Sequence, residues 1–168
     1  KVKAIKTQEN KLKTIFETKE GFQEIITQKV LMAVGRRPNT EAFQNIGINI
    51  QKTGVVVDDY LRTNISNIYA IGDVTGKSML AHVASHQGIT AVKNILGQPN
   101  KMDYKVIPAC VYTSPEVASV GLTEEEAREK YKDRIKVGRF PFMASGKALT
   151  IGERQGVVKI IADEKYNE

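Results

Sequence analysis

Ile68-Tyr69-Ala70-Ile71-Gly72-Asp73, followed after a short loop by Met79-Leu80-Ala81-His82, is the stretch whose reading decides the fold. The apolar residues ahead of Gly72 read as a buried strand whose end presents a glycine and then a carboxylate. In open α/β sheets the carboxyl ends of strands border the ligand crevice, so Asp73 is placed to accept hydrogen bonds from sugar or ribityl hydroxyls. A turn aspartate that caps a local backbone group is the alternative on this feature alone.

Downstream, Ala81, Ala84, Val92 and Ile95 recur at roughly helical spacing over residues 79–96, and Gly97 then Pro99 supply a stop. Gly88 within this helix costs about 1 kcal/mol relative to alanine, so close packing against a backbone or a ligand is expected there. Strand, turn and helix form a βα unit. The free N–H groups and positive dipole end at residues 79–82 suit an anionic group, including the pyrimidine end of a reduced flavin.

The same loop ends in Gly76-Lys77-Ser78, the tail of a phosphate-binding P-loop. A P-loop needs four residues between its glycines, whereas Ile71 stands where the first glycine should be, so this reading is the rival one. His82 and His86 share a helix face at a two-histidine spacing, but a zinc site needs three or four protein ligands and only distant Cys110 could join them, so no metal is expected. Cys110 follows Pro108 in an extended apolar stretch and reads as a buried small hydrophobe, with no second cysteine for redox exchange.

Upstream, alternating runs at residues 2–5 and 12–16, with Lys19-Glu20-Gly21 as the next turn, predict an antiparallel meander. Val30-Leu31-Met32-Ala33-Val34 is continuously apolar, as a strand covered on both faces would be, and ends at Gly35. Arg36-Arg37-Pro38-Asn39-Thr40 breaks regular structure at a domain crossing, where the arginines could bind phosphate or form a solvated loop. A further strand is expected at residues 55–58.

Beyond Asp103 the pattern turns to α+β. An extended segment at 106–111 precedes Thr123-Glu124-Glu125-Glu126, a capping box opening a helix to about Tyr131. Strands at 135–142 and 157–162 are expected beside the earlier one, giving a helix-backed antiparallel sheet. The chain opens on Lys1 already in strand and closes at Asn167-Glu168 where a partner element would be expected, so both ends read as cuts through a larger protein.

The formal charge of +6 could suggest nucleic acid, but the basic residues are interleaved with Asp and Glu rather than forming a stripe. No run approaches the roughly 18 apolar residues of a membrane span, and one cysteine gives no disulfide framework. A cytoplasmic protein without nucleic-acid or membrane partners is expected.

In this order, Val34-Gly35-Arg36-Arg37-Pro38-Asn39, the run from Thr63 to Asp73, and Tyr112-Thr113-Ser114-Pro115-Glu116-Val117-Ala118-Ser119-Val120-Gly121 resemble the FAD-dependent pyridine nucleotide-disulfide oxidoreductases over nearly the whole chain. Within that group, Met79-Leu80-Ala81-His82, Ala84-Ser85-His86-Gln87-Gly88, Phe140-Pro141-Phe142 and Lys147-Ala148-Leu149-Thr150 are most similar to the dihydrolipoamide dehydrogenases.

The resemblance implies a mixed α/β and α+β fold in three partial modules. Residues 1–34 would close an NAD-binding domain, 35–103 would form part of an FAD-binding domain, and 104–168 would begin an interface domain that pairs subunits. It also implies FAD and NAD in the parent protein. Gly72 and Asp73 would lie at the FAD ribityl chain, Met79, Leu80, Ala81 and His82 would hold the flavin through backbone groups, and Gly35 and Val2 would lie against NAD.

The family reaction takes electrons from a dihydrolipoyl group through a cysteine pair and FAD to NAD. The implied partners are a second subunit and the lipoyl-bearing protein of a 2-oxo acid dehydrogenase complex. This sequence holds no GxGxxG turn, no cysteine pair and no C-terminal His/Glu pair, so no catalytic residue is expected in it and the chain alone should be inactive. The alternatives are a stand-alone interaction module that has lost catalysis, and the P-loop-like nucleotide binder.

Overall fold

A computed structural model describes residues 1–164; the expected break at Asn167-Glu168 lies outside the described residues. The chain forms two compact units, Lys1–Pro38 and Asn39–Glu168.

The first unit is the expected meander. Strands β1 (Val2–Gln8), β2 (Lys11–Thr18) and β3 (Gly21–Thr27) pair antiparallel in sequence order. Gln8 opposite Lys11 and Thr18 opposite Gly21 leave two-residue turns, the hairpin length whose twist matches paired strands. Thr18 fastens the second turn, its Oγ1 accepting from the Glu20 N–H at 3.2 Å and donating to the Gly21 carbonyl at 3.1 Å. Cross-strand pairs Lys3–Glu17 and Lys13–Glu24 lie on the exposed sheet.

Residues 30–34 correct the sequence reading: they form no strand, and Leu31 and Val34 are 89% and 82% exposed. A strand of that composition needs hydrogen-bonded neighbours and cover on both faces, and no described residues supply them.

In the second unit, β4 (Ile50–Gln51) and β5 (Gly54–Val55) make a small hairpin ahead of helix α1 (Ala81–Ile95). The strands expected at 55–58 and 68–71 are reduced to β5 and a single antiparallel bridge between Arg62 and Tyr69. Instead of crossing a sheet, residues 58–70 fold back on themselves through the amide-to-carbonyl bonds Asp58 to Arg62, Thr63 to Ile68 and Ala70 to Leu61. Asp58 Oδ1 caps this loop from the Tyr60 and Arg62 N–H groups, both at 2.9 Å.

The core joins Val55, Val57 and Leu61 to Ala91 of α1, with Ile48, Ile50, Tyr69, Ala70 and Val74 packed around them. The buried face of α1 therefore differs from its apolar stripe. Val83, Gln87, Thr90, Ala91 and Asn94 are buried, while Ala81, Val92 and Ile95 are exposed. Gln87 and Asn94 are tolerated on that face because their side chains are hydrogen-bonded. Asn94 donates to the Tyr60 and Asn100 carbonyls and accepts from the Asn100 N–H, which pins the end of α1.

Beyond residue 103, hairpin β6 (Ala109–Val111) and β7 (Val117–Ser119) is followed by α2 (Glu124–Tyr131), β8 (Ile135–Pro141), the short helix α3 (Gly146–Thr150) and β9 (Val157–Asp163). The capping box of α2 is complete: the Glu126 N–H reaches Thr123 Oγ1 at 3.2 Å, and the Thr123 N–H reaches Glu126 Oε2 at 2.8 Å. β8 and β9 pair antiparallel, with Val137 opposite Ile161, but β6 and β7 stand as a separate sheet rather than beside them. The expected single sheet is thus two hairpins among the described residues. α2 is fastened to β8 and β9 by Glu124, whose carboxylate meets Arg128 at 2.9 Å, Arg139 at 2.5 Å and Lys159 at 3.5 Å.

A candidate cofactor corner at the start of helix α1

The corner begins where Ile71, in extended conformation, meets Gly72 at φ +75°. That angle is open to glycine and costly for a side chain. Gly72 is buried, and a Cβ there would already touch Ala84 of α1 at 3.4 Å. Residues Gly72–Thr75 form one 3-10 turn, closed by the Gly76 N–H on the Asp73 carbonyl at 3.0 Å and by Thr75 Oγ1 donating to the Gly72 carbonyl at 2.9 Å. The turn is pressed from its other side by β5. A Cβ on Gly54 would stand 2.6 Å from the Val74 carbonyl oxygen, so only glycine allows this approach.

Asp73 is half-buried in this turn, and the chain then runs through half-buried Met79 and Leu80 into α1. Leu80 is the N-cap residue and has no side-chain oxygen to offer the first amides of the helix. The first turn of α1 contains no acidic residue either. A carboxylate acceptor in the turn, followed by a helix start without a side-chain cap, is a donor and acceptor set that fits a cofactor carrying hydroxyls at one point and a carbonyl or anionic edge at another.

Six of the residues singled out from sequence, Gly72, Asp73, Met79, Leu80, Ala81 and His82, thus lie along one continuous turn and helix start. Ala81 is exposed, and the His82 ring donates from Nε2 to the Pro108 carbonyl at 2.9 Å. Gly35 and Val2 belong to the other unit. Gly35 has φ +97° in the loop after residues 30–34, and Val2 opens β1 opposite Phe16.

Gly76-Lys77-Ser78 lies ahead of α1 rather than opening it, and Lys77 extends over the Tyr104 ring at 5.5 Å, unlike a P-loop lysine at a helix start. Gly88 packs in ordinary contact, a Cβ there standing 3.6 Å from Ile71 Cδ1, so the expected tight approach is not required. Cys110 is a second correction: it is exposed on β6, because the short β6–β7 hairpin carries no layer over that face among the described residues. With His82, Lys159 and Ile161 it lines a groove of about 920 Å³.

Sequence reading missed the residue that holds the corner from behind. Gln87, fully buried on α1, accepts the Gly72 N–H at 2.6 Å and donates from Nε2 to the Tyr104 hydroxyl oxygen at 2.9 Å. The available signal was a polar residue four positions after Val83, on the face that faces the core.

An extended segment that turns into a helix in this way, with an antiparallel meander earlier in the chain and a helix-backed hairpin later, defines a mixed α/β and α+β protein. The chain belongs to the pyridine nucleotide-disulphide oxidoreductase family, whose model matches residues 1–88, while the dimerisation domain of the same family matches residues 107–168.

Among its relatives, dihydrolipoyl dehydrogenase of Rhizobium etli is 46% identical over 157 residues, 90% of this chain and 32% of that protein. Dihydrolipoyl dehydrogenase of Chlamydia trachomatis is 50% identical over 143 residues, 80% of this chain and 30% of that protein. The flavoprotein disulfide reductase RclA from Escherichia coli is similar in structure, with TM-score 0.81 and 30% identity over 98% of this chain and 38% of that one. LpdA from Mycobacterium tuberculosis gives TM-score 0.83 at 26% identity, over 96% of this chain and 35% of its own. The chain therefore spans about a third of the length of the relatives it matches. Among the described residues, no helix is long and apolar enough to cross a membrane.

Proposed function

We propose that this chain is the part of a dihydrolipoyl dehydrogenase that carries the flavin corner. Residues 1–34 close its NAD domain, 35–103 form part of its FAD domain, and 104–168 begin its subunit interface. The observation that carries this reading is the Gly72–Thr75 turn, which sets Asp73 ahead of a helix start without a side-chain cap. Asp73 accepts from the FAD ribityl hydroxyls beside Gly72. The backbone of Met79, Leu80, Ala81 and His82 meets the flavin, where positive helix-end charge favours the anionic reduced form. Gly35 and Val2 lie against NAD.

FAD supplies the electron relay between a dithiol and NAD; the residues of this chain bind and orient it. The single cysteine supplies no dithiol, so the dithiol and the base come from other parts of the complete polypeptide. That polypeptide works as a homodimer in the cytoplasm, on the lipoyl-bearing protein of a 2-oxo acid dehydrogenase complex.

The test is FAD binding by the complete polypeptide with Asp73→Ala. Removing a charged acceptor of the ribityl hydroxyls should weaken FAD by at least about tenfold. Unchanged FAD affinity refutes the corner. A complete polypeptide without flavin absorbance favours the interaction-module reading, and dihydrolipoamide-dependent NADH formation by residues 1–168 alone refutes the division of labour.

A further inference from the structure

We infer that Gln87 is a positioning residue of the flavin corner and ties it, through Tyr104, to the segment that leads into the dimerisation module. The inference rests on the flavin reading above. Its basis is that both polar groups of the Gly72 peptide region are claimed from within the chain: the N–H by Gln87 Oε1 at 2.6 Å and the carbonyl by Thr75 Oγ1 at 2.9 Å. The two bonds hold the successive peptide planes on either side of the Gly72 Cα, the Ile71–Gly72 plane through Gln87 and the Gly72–Asp73 plane through Thr75, and together they set the direction in which the Asp73 backbone leaves the turn.

The chemistry leaves Gln87 one arrangement. Gly72 N–H is a donor, so the amide oxygen must face it and the amide nitrogen must face Tyr104, whose hydroxyl oxygen then accepts at 2.9 Å. Because Gln87 and Gly72 are both buried, the Gly72 N–H has no ready access to water in place of the Gln87 oxygen. A second link runs parallel to this one, since His82 on the first turn of α1 bonds the Pro108 carbonyl at 2.9 Å. Residues 104–108, which lead into β6, are thus held by the same helix that carries the proposed flavin contacts. A movement of that segment is transmitted to Gly72 through a single side chain.

The experiment compares Gln87→Leu, Gln87→Glu and Tyr104→Phe in the complete polypeptide, reading the FAD dissociation constant and the visible absorption band of bound flavin at saturating FAD. The leucine keeps the volume and orphans the Gly72 N–H. It should weaken FAD by about tenfold and shift the bound-flavin band, which a loss of folded protein alone would not move. Glutamate can accept from both the Gly72 N–H and a reoriented Tyr104 hydroxyl, so it should return both readouts towards those of the unsubstituted protein. Tyr104→Phe, which leaves the Gly72 bond intact, should produce a smaller loss in the same direction and serves where the leucine variant fails to fold.

An unchanged band and affinity in Gln87→Leu overturns the inference, as does a glutamate variant no better than leucine. Asp73→Ala, run alongside, separates the two claims. If it abolishes FAD binding while Gln87→Leu does not affect it, only the positioning role fails; if neither matters, the flavin corner itself fails.

Discussion

Two apolar runs in this chain, residues 30–34 and residues 55–57, look alike in sequence and end in opposite places. Leu31 and Val34 stand in the open, whereas Val55 and Val57 are 3% and 9% exposed. The difference lies in what the described chain supplies as cover. The second run meets Ala91 of α1 and the folded-back Tyr69 and Ala70, all within forty residues. The first belongs to a unit whose only regular elements are three strands already paired with one another. Apolar composition thus marks a surface that must be buried, at about 25 cal/mol per Å² of apolar area, without saying by what.

The largest effect that would break this contrast is at Leu61, which is fully buried, set against Leu31. Leu61→Ala leaves a cavity in the core of the second unit and should cost about 2–5 kcal/mol. Leu31→Ala in the same chain should change stability by no more than about 0.5 kcal/mol. Urea unfolding of the two variants checks this, and equal losses would mean that residues 30–34 are covered in solution.

Next in size is Gly54, which decides how the second run closes. Its φ of +133° and the 2.6 Å approach to the Val74 carbonyl leave no room for a methyl group, and the neighbour is backbone that cannot rotate away. Gly54→Ala should cost about 1–3 kcal/mol and loosen the Gly72–Thr75 turn. Amide hydrogen exchange at Gly76, whose N–H closes that turn on the Asp73 carbonyl, reads the loosening directly. Protection at Gly76 equal to that of the unsubstituted chain would show that the hairpin and the turn are independent.

The same contrast explains what could be read from sequence. The meander turns, the Gly97 stop and the Thr123 capping box rest on signals within a few residues and appear where expected. Residues 30–34 and 68–71 needed strand partners from elsewhere, and without them one is loop and the other a single bridge. The buried face of α1 was hidden because Gln87, Thr90 and Asn94 sit where apolar residues were sought. At the corner, Gly72-Asp73 and the helix start are contiguous and so visible as a motif, whereas the bonds from Gln87 to Gly72 and Tyr104 span 15 and 17 residues. No local pattern encodes a partner at that separation.

The smallest expected effect concerns how α2 is held. It is fastened by charge at the surface, in contrast to the packed core around Leu61. The Glu124 carboxyl is held below its ordinary value of 4.5, first by the Arg128 hydrogen bond and further by Arg139 and Lys159, with desolvation opposing them. The Glu126 carboxyl is lowered by the Thr123 backbone N–H and hydroxyl. For a depressed carboxylate the folded state binds its proton more weakly than the unfolded chain. The stabilisation is therefore fully present above about pH 4.5 and is lost as pH falls through the lower folded values. Glu126 is exposed, and half-buried Glu124 meets cations that are themselves open to solvent, so the effect is small and screened by salt. Glu124→Gln should flatten the acid side of the pH–stability curve, and added salt should flatten the unsubstituted curve in the same way while leaving the Leu61→Ala loss unchanged. A Glu124→Gln curve that keeps the full acid slope would show that Glu126 alone carries the pH dependence, and that the cations of β8 and β9 do not hold α2 in place.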